Sequence, residues 1–173
     1  MESTTWDEAI ALVGYGQVSA DENAIIFGKK GMGITLNAIV QGYATDRIAA
    51  LLRKGGVTSS LVNIGEYAAM GNAPDGKPWS VEFSASGERI ALPPGRALAV
   101  SAGSGHIFHP EGRFHHIFRP ADGANTRPDS TIAVTAPTAT MADALSTTLA
   151  IATKTERKVI LGNFPKADFR EVN

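Results

Sequence analysis

In the stretch MADALSTTL, Asp143 and Thr147 lie four residues apart, with Ser146 beside Thr147. On a helix that spacing projects the carboxylate and the hydroxyl from one face. A carboxylate joined by hydroxyl and carbonyl oxygens suits a hard cation such as Mg2+, which keeps waters and phosphates as its other ligands. The same spacing also describes an ordinary helix-surface aspartate near a back-bonding threonine, and the pattern alone leaves both readings open. Four histidines, His106, His109, His115 and His116, fall in two strand-length runs around PEGR. Positions 106 and 109 differ by an odd number, as do 115 and 116, so each pair points to opposite faces of a strand. With no cysteine in the chain, a closed zinc site is disfavoured and hairpin histidines are the better reading. One of them can still line a pocket.

A second candidate is the junction GITLNAIVQGY, where a short apolar run passes into a long helical segment. Polar side chains and free N–H groups gather at such junctions, and ligands favour them. Tyr43 at its mouth can stack on an aromatic ligand or face the core. The glycines of GKKGMG lack the spacing of a phosphate-binding loop and precede an apolar run read as a strand, so they give no strong phosphate signal. No nucleophile-elbow pattern accompanies the serines and histidines.

These residues need elements to hold them. TTWDEAIALVG opens with a Thr5–Glu8 capping-box pattern and predicts a short helix. AIIFG and MGITL read as strands about the turn Gly28–Gly31. A long helix is expected over about 37–54, with Val40, Ala44, Ile48, Leu51 and Leu52 on its apolar face. Gly55 and Gly56 end it. From Val57 the pattern becomes extended: VTSSLVNIG, YAAMGNA, PWSVEFSA, RIALP, ALAVSAG, HIFHP, FHHIF and STIAVTAP are separated by turn residues. A second long helix is expected over about 138–153, followed by a closing strand RKVILG. Strands in series with two long helices predict an α+β fold, an antiparallel sheet with both helices on one face.

Composition agrees with an ordinary globular protein. The chain has 173 residues, 43% hydrophobic and 19% charged, which is one domain by size and enough to bury roughly 70% of the unfolded surface. A net charge of −1 gives no basic footprint for nucleic acid. The N-terminus shows no signal-peptide architecture, and no apolar run is long enough to span a bilayer.

Three stretches in order, GITLNAIVQGYATDRIAALLRKGGVTSSLVNIGEYAAMGNAPDGKPWSVEF, FHHIFRPADG and IAVTAPTATMADALSTTL, resemble the FAD:protein FMN transferases, also called the ApbE family. That family reads DLGGIAKGYAVD, then VNLGG and GKPW, then HIIDPRTG, then VVAPTALLADALST. The resemblance covers nearly all of residues 1–173, as a single ApbE-like unit lacking the family's N-terminal segment. It implies a T-fold-like α+β unit, cleavage of FAD with Mg2+, and attachment of the FMN half to a Thr or Ser of a flavin-acceptor protein. It also implies the bacterial periplasm or the exported side of a membrane. By the same resemblance the metal ligands fall on Asp143 and Thr147, with Ser146 in the adjacent ligand position that other members fill with an acid, and on the Ala38 carbonyl. The flavin contact falls on Phe118, preceded by His116 and Ile117. Three positions differ: Thr35 replaces the family's junction Asp, Gln41 its Lys, and Arg119 the Asp of its DP motif. Asp143, Ser146 and Thr147 favour a working transferase. The loss of charge at Thr35 and Gln41 favours a flavin-binding or partner-binding domain of the same fold that lost the chemistry.

Overall fold

The computed structural model describes residues 5–84, 86–105, 107–108, 115–126 and 130–172. Helix α1, Trp6–Ala11, starts at the expected capping box: Glu8 N–H donates to Thr5 Oγ1, and Thr5 N–H to Glu8 Oε2 at 2.8 Å. Strands β1 (Val18–Ala20) and β2 (Ile25–Phe27) form an antiparallel hairpin. The two long helices are α2 (Val40–Lys54) and α3 (Ala139–Ile151). Both lie inside the expected spans, and Thr138 caps α3 by accepting from Met141 N–H.

The central sheet has five strands, β3 (Ser60–Asn63), β4 (Tyr67–Met70), β7 (Ala97–Ala102), β8 (Thr131–Ala136) and β9 (Asp168–Val172), in the order β3-β4-β7-β8-β9 with every pair antiparallel. Strands β5 (Trp79–Glu82) and β6 (Arg89–Leu92) pair with each other alone. Alternation along β7 separates two packing surfaces. Ala97 and Ala99 pack against the long helices, together with Ala68, Met70, Ile132 and Val134. Leu98 faces the other way, against Val81, Ile90 and Leu92 of the β5–β6 hairpin. The molecule is therefore an α+β stack of helices, sheet and hairpin, with both long helices on one face as expected.

Several local expectations fail for identifiable reasons. RKVILG is not a strand but part of a fourth helix, α4 (Lys154–Asn163). Its β-branched residues suggested a strand, yet Thr153 and Glu156 form a capping box that starts a helix; the closing strand is β9. MGITL pairs with no strand among the described residues, so it is not a strand. FHHIF likewise contributes only isolated bridges, Ile107 with His115 and Phe118 with Asn125. Most of HIFHP, with His106 and His109, lies outside the described residues.

The face of α2 was also misassigned. Val40, Ile48 and Leu51 are exposed, as is Tyr43, which excludes its core reading. The buried face carries Gly42, Thr45 and Ala49 instead. Small residues are needed there because α2 and α3 cross closely. A Cβ on Gly42 would stand 2.4 Å from the Ala139 carbonyl oxygen and 2.7 Å from Asp143 Cβ. One turn on, Asp46 clamps the start of α3: Oδ1 accepts from Ala139 N–H, and Oδ2 from Thr140 N–H, each at 2.8 Å. Thr140 Oγ1 adds a third bond to Oδ2. Asp46 thus satisfies donors that a helix N-terminus leaves free, and complements its dipole.

Gly42→Ala is expected to destabilise the fold by about 1–3 kcal/mol, because a backbone carbonyl must move to admit the methyl group. Urea unfolding of the two proteins measures this, and equal midpoints would show that the crossing is loose.

Candidate functional site

The crossing that demands Gly42 also places Asp143. Gly42 N–H, one of the free donors at the start of α2, donates to Asp143 Oδ2 at 2.8 Å. In an uninterrupted helix that N–H would bond the Ala38 carbonyl; here no backbone N–H among the described residues does so. Asp143 is 5% exposed. Its other oxygen, Oδ1, takes no hydrogen bond among the described residues, and none of their buried side-chain oxygens lacks a partner. Oδ1 therefore reaches solvent. Burial holds the Asp143 carboxyl above its usual range, and the Gly42 N–H opposes that rise.

Ser146 and Thr147 follow on α3 and meet Ser101, which faces inward from β7. Ser101 Oγ lies 2.7 Å from Ser146 Oγ and 3.1 Å from Thr147 Oγ1. Ser146 Oγ donates to the Asp143 carbonyl oxygen at 2.9 Å and is fully buried. Nothing in the sequence pattern singled out Ser101. Its one signal was parity, a hydroxyl at an inward position of an otherwise apolar strand.

Glu66 was missed as well. It stands just before β4 and is 6% exposed. The β4–β7 ladder ends at Tyr67 and Leu98, and beyond it the Val100 backbone N–H pulls the Glu66 carboxyl downward. Burial first, and then the Asp143 charge, push Glu66 up to about 8. Neither carboxylate has an ion-pair partner among the described residues. Beside it Gly65 has φ +107, and a Cβ there would come within 2.9 Å of Gln41 Cδ, so Gln41 lies over this loop. Thr45 Oγ1 ties the same two segments, donating to the Gln41 carbonyl at 2.8 Å and reaching the Glu66 carbonyl at 3.4 Å.

The structure thus gathers Asp143, Ser146, Thr147 and Gln41 around Gly42 and adds Ser101 and Glu66. Thr35 and Ala38 sit on the exposed approach to α2, where Thr35 Oγ1 accepts from Asn37 N–H at 3.3 Å. Neither they nor Phe118 hydrogen-bond to Asp143 or Thr147 among the described residues. Phe118 packs edge-on to Trp6 of α1, ring centroids 5.9 Å apart. Ile117 anchors its loop in the core beside Ala142 and Leu145 of α3. His115 is buried, with Nδ1 accepting from Ile117 N–H and Nε2 bonded to the Thr126 carbonyl at 2.8 Å. Only the neutral Nε2–H tautomer satisfies both contacts. His116 is exposed, so the two lie on opposite sides, as their parity predicts. Among the described residues no three His, Cys, Asp or Glu side chains converge as a metal cluster. An apolar groove of about 580 Å3 runs along the other flank of α3, lined by Ile39, Met141, Leu145, Ile160 and Phe164.

Comparison with known proteins decides the family. The ApbE family model matches residues 1–167. The chain belongs to the ApbE family. It is 28% identical over 164 residues to the FAD:protein FMN transferase of Treponema pallidum, covering 84% of this chain and 45% of that protein. The ApbE protein of Thermotoga maritima superposes with TM-score 0.81 at 29% identity, covering 96% of this chain and 57% of that one. The apo flavinyl transferase ApbE of Pseudomonas stutzeri gives TM-score 0.77 at 25% identity, covering 98% and 56%. The chain spans about half the length of the relatives it matches. No helix among the described residues is long and apolar enough to cross a membrane.

Stability should fall as pH rises from about 4.5 through about 8. Glu66 holds its proton more tightly folded than unfolded, so its stabilising contribution is complete below the unfolded value and is lost as the folded group ionises. Urea titrations at several pH values, with EDTA present, should show this slope, and Glu66→Gln should flatten it. An unchanged slope in the variant would assign the effect to another group.

Proposed function

We propose that the chain carries the cation- and nucleotide-holding part of an FAD:protein FMN transferase, moving FMN from FAD to a Thr or Ser of an acceptor protein. What supports this most is buried Asp143 with an open Oδ1, one helical turn from Thr147 and facing the start of α2. Asp143, Thr147 Oγ1 and the Ala38 carbonyl, which receives no backbone N–H among the described residues, are the groups to hold Mg2+. All three are hard oxygen donors, so the set fits this ion with waters or phosphate oxygens completing its shell. When bound, Mg2+ neutralises charge on the pyrophosphate and polarises its oxygens. Ser146, with its hydroxyl spent on Ser101 and the Asp143 carbonyl, supports the site from behind.

The remaining residues bind and orient. Gln41 donates from its amide to a phosphate oxygen in place of the family's lysine, and Thr35 bonds a ribose or adenine edge. Phe118, backed by Trp6, offers a ring to the flavin with His116 beside it. The apolar groove beside Ile39 has a volume suited to part of a dinucleotide. In the reaction the acceptor hydroxyl oxygen bonds to the FMN phosphorus as the bond to the bridging oxygen breaks. AMP leaves with that oxygen, and the hydroxyl proton passes to solvent. By the same reading the chain acts on the exported side of a bacterial membrane.

Purified chain incubated with FAD, Mg2+ and a threonine-bearing acceptor peptide should give AMP and an FMN-labelled peptide by mass spectrometry. Asp143→Ala should abolish both. Thr35→Asp with Gln41→Lys should tighten FAD binding by about one to several tenfold steps, since charge-assisted contacts exceed neutral ones. Mg2+-dependent FAD binding with no cleavage would identify a flavin-binding relative without the chemistry. No binding of FAD at all would overturn the reading.

A further inference from the structure

We infer that Ser101 is a positioning residue for the cation site: it fixes the direction of a hydroxyl chain so that Thr147 Oγ1 presents lone pairs outward. The inference rests on the assignment of Thr147 as a cation ligand.

A hydroxyl has one proton and two acceptor lone pairs. Ser146 Oγ spends its proton on the Asp143 carbonyl oxygen at 2.9 Å. The 2.7 Å contact between Ser146 and Ser101 must then be donated by Ser101. With that proton used, the 3.1 Å contact between Ser101 and Thr147 must be donated by Thr147. The direction is fixed end to end, from Thr147 through Ser101 and Ser146 to the carbonyl. The Thr147 proton points inward to β7, and its lone pairs are left for a cation.

The neighbouring residue shows what Thr147 is kept from doing. Thr148 Oγ1 donates to the carbonyl of Ala144, four residues back, at 2.7 Å. The equivalent carbonyl for Thr147 is that of Asp143, which already accepts from Ser146. Water is a poor substitute for Ser101 here, because Ser101 is 9% and Ser146 1% exposed.

Mn2+ serves as a paramagnetic stand-in for Mg2+, titrated with ADP present and read by electron paramagnetic resonance. Wild-type chain should bind Mn2+, and Ser101→Ala should bind it roughly three- to tenfold more weakly, the loss of about one oriented hydrogen bond. Ser101→Ala and Thr147→Ala should be non-additive, because both remove the same ligand's orientation. Ser101→Thr, which keeps the donor, should restore binding. Circular dichroism and thermal melts confirm folding, and Ser101→Cys, nearly isosteric with a weak donor, replaces the alanine variant if that fails to fold. Unchanged Mn2+ affinity in folded Ser101→Ala, with binding still lost in Asp143→Ala, overturns the role of Ser101 and leaves the cation site standing. Unchanged affinity in both Asp143→Ala and Thr147→Ala, or no Mn2+ binding by wild-type chain, removes the cation site and this inference with it.

Discussion

Everything at the site depends on how closely α2 and α3 cross at Gly42. Without a side chain there, the backbone of α2 comes against the Ala139 carbonyl and Asp143 Cβ. That approach lets a main-chain N–H reach the Asp143 carboxylate, and it lets Asp46 clamp the first turn of α3 from a neighbouring helix. One residue type at one position therefore sets helix packing, orients a carboxylate and leaves a carbonyl at the helix entry without its usual donor. The interior would not otherwise tolerate an aspartate here. A buried carboxylate is costly unless hydrogen-bonded, and the free donors at the start of α2 supply that bond.

The electrostatics point the same way. Asp143 and Glu66 are both buried, both shifted upward, and the Asp143 charge raises Glu66. Two carboxylates without a cationic side chain are stable only if one keeps its proton or a cation arrives. Near neutrality Glu66 keeps its proton, and Asp143 has an oxygen open to solvent. A divalent cation entering there would favour ionisation of both. Glu66 stands where the family motif VNLGG has its second glycine.

Much of this was legible in the sequence because it is local. The Thr5 capping box, both long helices, the turn-punctuated strands and the Asp143–Thr147 spacing are carried by residues a few positions apart. What escaped is set by partners distant in the chain. Ser101 and Ser146 are 45 residues apart, Gly42 and Asp143 101 apart. The apolar period of α2 was visible, but the face it buries was not. Close contact with α3 selects Gly42, Thr45 and Ala49 and turns Val40, Ile48 and Leu51 outward, against the rule that the most apolar stripe faces the core. RKVILG failed differently: its capping box was available locally and was outweighed by β-branched composition.

Three departures from the family motif, Thr35, Gln41 and Arg119, lie at the surface or half-exposed, whereas Glu66 and Ser146 are buried. Thr35 and Gln41 are exposed, and the Arg119 side chain is 39% exposed, where it pairs with Asp122 at 2.5 Å. Where the family motif HIIDPRTG has its acid, this chain has Arg119, which pairs with Asp122 three residues on. Such exposed charges contribute little to folding and can change at small cost. Asp143 and Gly42 are enclosed and bonded to each other across the two helices. The surface changes leave the helix crossing at Gly42 untouched. The helix crossing, not the rim, shapes the Asp143 carboxylate, because the bond that holds it comes from Gly42 N–H.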